Sequence, residues 1–120
     1  MDYSGDTRGN GLCAQVHVPK LDGKVEQIVT SRRLDKTNRQ VAVVFQSKSQ
    51  MTLYLDGVAI GSTPINVSLS DVVDNNDWLG LSQYATDTPY EGSYDEVRIY
   101  DRALSPCELE TTFEDGPDTF

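Results

Sequence analysis

The stretch Tyr84-Ala85-Thr86-Asp87-Thr88-Pro89-Tyr90 sets two tyrosines at the ends of a short polar loop. Aromatic faces stack on the apolar C–H faces of sugar rings, while neighbouring carboxylate and amide groups meet the hydroxyls. Gln83, Tyr84, Asp87 and Tyr90 are therefore the candidate carbohydrate contacts. The alternative for the same tyrosines is that they pack the loop onto a sheet, as amphipathic rings commonly do.

A second chemistry is oxygen coordination of calcium, which takes about six to eight oxygen ligands. The loop Ser4-Gly5-Asp6-Thr7-Arg8-Gly9-Asn10 could supply some of them, with Asp6 as the candidate ligand. Asp71-Val72-Val73-Asp74-Asn75-Asn76-Asp77 is another acid-rich segment. Neither has the fixed ligand spacing of an EF-hand, and solvated loops are the competing reading. His17 is the sole histidine, and a zinc site is not expected there. Cys13 and Cys107 lie far apart in sequence and are expected to be ordinary thiols, although a bridge between the two ends is also open. Asn66-Val67-Ser68 fits the glycosylation acceptor pattern, which matters only in a eukaryotic secretory pathway.

The 120 residues carry 19 acidic and 10 basic side chains, a formal charge of −9. Nucleic-acid binding rests on clustered Lys and Arg, and the one basic cluster here, Ser31-Arg32-Arg33-Leu34-Asp35-Lys36, is short and includes an acid. A nucleic-acid partner is not expected. The acidity serves solubility or calcium binding. No run approaches the roughly 18 apolar residues of a membrane span, so no membrane insertion is expected. Met1-Asp2-Tyr3-Ser4-Gly5-Asp6 has neither the basic nor the apolar region of a signal peptide.

The elements that must position these residues are strands. Leu12 to Val18 alternates, placing Leu12, Ala14, Val16 and Val18 on one side. Asp22-Gly23 marks a turn before Lys24 to Ser31. Gln40 to Gln46 is nearly continuous apolar, the pattern of a strand buried on both faces. Gln50 to Asp56 alternates and ends in Asp56-Gly57, a strong hairpin signal, from which Val58-Ala59-Ile60 returns. Further strands are expected at Ile65 to Leu69, Trp78 to Ser82 and Gly92 to Tyr100. Trp78, opening its strand, is expected in the core. Ser105-Pro106-Cys107-Glu108 reads as a capping box with proline at the first helical position, and Leu104 and Leu109 as its hydrophobic staple. Seven or so short strands with turn residues between them predict an all-β sandwich or barrel with one short C-terminal helix, a single domain over 1–120.

Three ordered motifs resemble the concanavalin A-like lectin/glucanase superfamily, in its laminin-G-like jelly-roll form. Val41-Ala42-Val43-Val44-Phe45 with Met51 to Ser62 is similar to the family's paired central strands. Asn76 to Tyr84 looks like its next motif. Tyr90-Glu91-Gly92-Ser93-Tyr94-Asp95-Glu96-Val97-Arg98-Ile99-Tyr100-Asp101-Arg102-Ala103-Leu104-Ser105 resembles its closing strand and the turn into the terminal helix. The family usually has a Trp-His pair before the first of these strands, where this chain has Asn38-Arg39. Complete family modules also carry several strands before this region, so the chain is expected to be the later part of such a module.

The resemblance implies an antiparallel jelly-roll β-sandwich, and a non-catalytic carbohydrate- or glycoprotein-binding module of a larger secreted or surface protein, extracellular in its parent. It also implies that Asp95 anchors backbone amides or joins a structural Ca2+ site. Sheet edges left open would recruit partners, so the alternative is a structural or assembly module that self-associates, a homo-oligomer. Some relatives are glycoside hydrolases, whose cleavage needs two carboxylates flanking the bond. The laminarinase-type relatives carry Glu-x-Asp on one strand. This chain has Asp95-Glu96, adjacent and therefore on opposite faces, so an enzyme is not expected.

Overall fold

The computed structural model describes residues 11–22, 24–73, 78–81 and 90–118. β1 (Cys13–Val16) pairs antiparallel with β2 (Glu26–Val29). β3 (Val41–Gln46), β4 (Gln50–Leu55) and β5 (Val58–Pro64) form a second antiparallel sheet with β4 in the middle. One helix, α1 (Pro106–Asp115), follows near the C-terminus. Two antiparallel sheets and a terminal helix bear out the all-β sandwich class.

Local chemistry explains the turns. Asp56 and Gly57 both take left-handed backbone (φ 51° and 78°), the requirement of a type I′ hairpin, whose twist matches that of the flanking strands. Between β3 and β4 the chain reverses through three residues, with Lys48 in the left-handed region (φ 56°) and Ser49 N–H donating to the Gln46 carbonyl at 3.0 Å. The β1–β2 connection is longer than a tight turn. A 3-10 turn at Pro19–Leu21 precedes left-handed Asp22, and both strands are shorter than their apolar patterns. Leu53 faces Gly61 while Tyr54 faces Ala59, so Ile60 is an extra, bulged residue on β5.

The side-chain period of two gives β4 two buried faces. Met51, Leu53 and Leu55 pack with Leu12, Ala14, Ile28 and Ile65, beneath the β1–β2 pair. Tyr54, on the other face, packs with Leu104 and Leu109 under α1. Leu53 is 0% exposed. β3, read as the strand buried on both faces, is instead half-buried and lies at the edge of its sheet among the described residues, with Val43 exposed. An apolar run reports what a strand could bury. Its neighbours decide what it does bury, and here β4 has them on both sides.

Among the described residues, three expected strands do not form. Ile65 and Val67 are buried, but the stretch 65–69 makes no ladder. Residues 78–81 and 91–100 are irregular, and the Val97/Ile99 alternation finds no partner strand among the described residues. Alternation makes a segment competent for pairing, but the strand itself needs a neighbour's hydrogen bonds. Trp78, placed in the core by its sequence context, is 49% exposed for the same reason.

The helix start is as its sequence requires. Glu108 N–H donates to Ser105 Oγ at 3.2 Å, and Ser105 N–H donates back to the Glu108 carboxylate at 3.3 Å. Leu104 and Leu109 are both buried against Tyr54. Arg102 also pairs with Glu108, and this guanidinium, followed by the Ser105 amide, holds the carboxyl at about 2, below its ordinary 4.5. A lowered folded-state value means the stabilisation is complete above the ordinary value and fades as pH falls towards about 2. Helicity followed by circular dichroism across that window is therefore expected to fall less steeply in Glu108→Gln than in the unaltered chain.

Candidate functional site

The aromatic site is built on irregular chain held by glycines. Tyr90 N–H donates to the Gly80 carbonyl at 2.8 Å, which joins the segment 78–81 to the segment beginning at residue 90. Gly80 itself takes φ 78°, a left-handed conformation that suits glycine. Tyr90 folds over Gly92 so closely that a Cβ on Gly92 would lie 2.5 Å from the Tyr90 hydroxyl. The Tyr94 hydroxyl reaches the other side of the same patch, 3.8 Å from where a Cβ on Gly80 would stand.

The rings of Tyr90 and Tyr94 lie 5.5 Å apart, tilted by 49°. This is within the favoured range for aromatic pairs, and the rings stiffen one another. Tyr90 is 41% and Tyr94 53% exposed, so the pair offers both ring surface and phenolic hydroxyls to solvent. Trp78 adds a third half-exposed ring two residues from Gly80. Such a surface can stack on an apolar sugar face and hydrogen-bond its hydroxyls.

A polar clamp follows this patch. Glu96 accepts from Arg98 Nε at 2.5 Å and from the Asp118 amide at 2.7 Å. Arg98 Nη2 also lies 3.2 Å from the Asp118 carboxylate. The Arg98 guanidinium, and then the Asp118 amide, lower the Glu96 carboxyl below the usual carboxylate range. The chain that carries Tyr90 and Tyr94 is thereby tied to the segment beyond α1.

Of the residues singled out in the sequence, Tyr90 stands in this patch. Gln83, Tyr84 and Asp87 lie outside the described residues, as does Asp6. Asp95 is exposed, and among the described residues no group of three His, Cys, Asp or Glu side chains is placed to hold a metal ion. Cys13 is buried and Cys107 exposed, and the two are not bridged. Sequence reasoning missed Tyr94 and misplaced Trp78. Both lie in stretches that read as strands, and the available signal is their closeness in sequence to Gly80 and Gly92.

Where the family pattern has a Trp-His pair, Arg39 does structural work. Its guanidinium bridges Asp35 and Asp56, at 2.6 Å to each. Asp56 also accepts from the Gln40 amide at 2.9 Å, so this network fixes the start of β3 to the β4–β5 turn.

A family model of laminin-G type, described as the concanavalin A-like lectin/glucanases superfamily, matches residues 3–110. The chain belongs to that superfamily. No curated protein matches the sequence. Among solved structures, the chain is similar to residues 221–444 of an S-layer domain-containing protein from Clostridium thermocellum ATCC 27405, with a TM-score of 0.56 and 24% identity. The match covers 72% of this chain and 44% of that one, so the chain spans less than half of that structure, and the likeness is one of fold. Among the described residues, no helix of this concanavalin A-like chain is long and apolar enough to cross a membrane.

Proposed function

We propose that this concanavalin A-like chain is a non-catalytic carbohydrate- or glycoprotein-binding module, working at the cell surface or outside the cell as part of a larger protein. The observation that carries the reading is the exposed Tyr90–Tyr94 pair, with rings 5.5 Å apart. Gln83, Tyr84 and Asp87, outside the described residues, belong to the same proposal as sugar contacts. The structural neighbour is an S-layer domain-containing protein, which agrees with a surface setting. The sequence contains no Glu-x-Asp, which agrees with a role in binding rather than cleavage.

Affinity electrophoresis through a panel of polysaccharides tests this. At least one polysaccharide is expected to retard the chain. Tyr90→Ala and Tyr94→Ala are each expected to weaken retardation about ten-fold, as loss of an aromatic anchor does. Tyr94→Phe keeps the stacking face and should retain most of it. Full retardation in both alanine variants would exclude the site. A calcium ion at Asp6 and Asp95 belongs to the same proposal and predicts a lower melting midpoint in chelator; an unchanged midpoint would exclude it.

A second reading, self-association, is favoured by the exposure of Val97, Ile99 and Tyr100, with Ile99 94% exposed. A sedimentation mass that stays monomeric at high concentration would exclude it.

A further inference from the structure

The chain that carries the aromatic pair makes no ladder from residue 91 to residue 100 among the described residues, and side-chain ties hold it instead. Two of these ties fasten it to opposite ends of α1. At one end, Glu96 accepts from Arg98 Nε at 2.5 Å and from the Asp118 amide, just past the C-cap Gly116, at 2.7 Å. At the other, Arg102 donates to both carboxylate oxygens of Glu108 in the first turn.

The lengths agree with this layout. α1 has 10 residues, and at about 1.5 Å per residue it is about 15 Å long. Residues 96–102 can extend over about 20 Å. The segment therefore runs back along the helix, from beyond its C-terminal end to its first turn. The helix is a firm support. Leu109 is buried with Tyr54, and a Cβ on Gly57 would stand 3.1 Å from Glu110 Cα, so α1 rests directly on the β4–β5 turn.

Within the first tie the parts are unequal. The Glu96 side chain is 22% exposed, whereas that of Asp118 is 69% exposed. Charge-assisted hydrogen bonds are the stronger kind, and partly buried charges are screened least. An exposed ion pair contributes little. The Glu96 carboxylate is thus the centre of the tie, and the Asp118 backbone amide matters more than the Asp118 side chain. Tyr94 stands two residues before Glu96. Its ring packs on Tyr90 at 5.5 Å, and Tyr90 N–H is bound to the Gly80 carbonyl at 2.8 Å. A series of contacts thus leads from the tail of α1 to the aromatic patch.

We propose that Glu96, Arg98 and the Asp118 amide are positioning residues for the Tyr90–Tyr94 site, coupling sugar binding there to docking of the tail past α1. This rests on the reading of the ring pair as a sugar site. A segment held in its binding form is competent for more of the time, and by reciprocity the bound sugar tightens the tail.

The test uses the full chain. Glu96→Gln keeps the shape of the side chain and removes its charge. Asp118→Pro removes the donating amide, whereas Asp118→Asn retains it. Glu96→Gln and Asp118→Pro are each expected to speed deuterium exchange at the Tyr90 amide about five-fold, and to weaken magnetisation transfer between the two rings. Asp118→Asn should change exchange by less than about two-fold. In gels cast with xylan, laminarin or hydroxyethyl-cellulose, retardation should weaken about five-fold in the first two variants. In a Tyr90→Ala background, where no ring pair remains to be held, Glu96→Gln should add less than about two-fold. The retarding polysaccharide should also slow exchange of the Asp118 amide in the unaltered chain, which a merely structural tie would not do. Exchange of the β4 amides reports that each variant is folded; where Glu96→Gln is not, the two Asp118 variants decide. Equal effects of Asp118→Pro and Asp118→Asn, rings and Tyr90 exchange unchanged in Glu96→Gln, or a full Glu96→Gln effect without Tyr90 would overturn the proposal. If no polysaccharide retards the chain, the sugar reading alone falls, and the ring and exchange measurements still decide the coupling of patch and tail.

Discussion

Leu53→Ala is expected to destabilise the chain by about 3–4 kcal/mol, within the range for a fully buried leucine. Leu53 is 0% exposed, at the middle of the central strand, and belongs to the cluster that joins the β3–β4–β5 sheet to the β1–β2 pair. Removing its isobutyl group forfeits the transfer of that group from water and leaves a cavity. The sheet backbone cannot close this space, because β4 is hydrogen-bonded on both sides. Leu53→Met, which conserves volume, should cost less than about 1.5 kcal/mol. Urea denaturation checks both, and the alanine variant should melt on the order of 10–15 °C lower. A change below about 1 kcal/mol for Leu53→Ala would mean that this cluster is not the main core.

Gly61→Ala is expected to cost about 2 kcal/mol although it adds only a methyl group. Gly61 faces Leu53 on β5, and a Cβ there would lie 2.5 Å from Ile28 Cγ2 and 3.4 Å from Thr30 Cγ2. Ile28 is a core residue, so its β-branched side chain has little room to turn away. Glycine at this point lets β2 cross close over β5. The clash is pairwise, so a double-mutant cycle isolates it: in an Ile28→Ala background, where Cγ2 is gone, the added methyl should cost little. Equal costs in both backgrounds would show that Gly61 matters for its own backbone and not for the crossing.

The parts of the fold legible in the sequence were those set by chemistry close in the chain. Asp56-Gly57 needs no distant partner to favour a type I′ turn, and Ser105 and Glu108 cap the helix from three residues apart. The order of the family motifs likewise needed only the sequence. Burial was harder to read. Val41 to Phe45 and Met51 to Leu55 are both rich in apolar residues, and their difference lies in position. β4 has a strand on each side and packing on both faces, whereas β3 has one neighbouring strand among the described residues. The same limit applies to Val97 and Ile99, whose alternation specifies two faces but no pairing strand. At the aromatic site, Tyr90 was legible as an amphipathic ring in a loop. Tyr94 is not, because it sits in an alternating stretch that reads as a strand. The close approach of Tyr90 to Gly92 that shapes the patch appears only once the backbone is placed.

The two-faced burial of β4 has a consequence in time. Hairpin β1–β2 covers one of its faces and α1 the other, and the two clusters share no side chain. Either cover can lift while the opposite cluster still holds the strand, but β4 itself is released only when both are lost. Its amides should therefore exchange with solvent deuterium last and report the global opening, while those of α1 and of β1–β2 exchange earlier through separate partial openings.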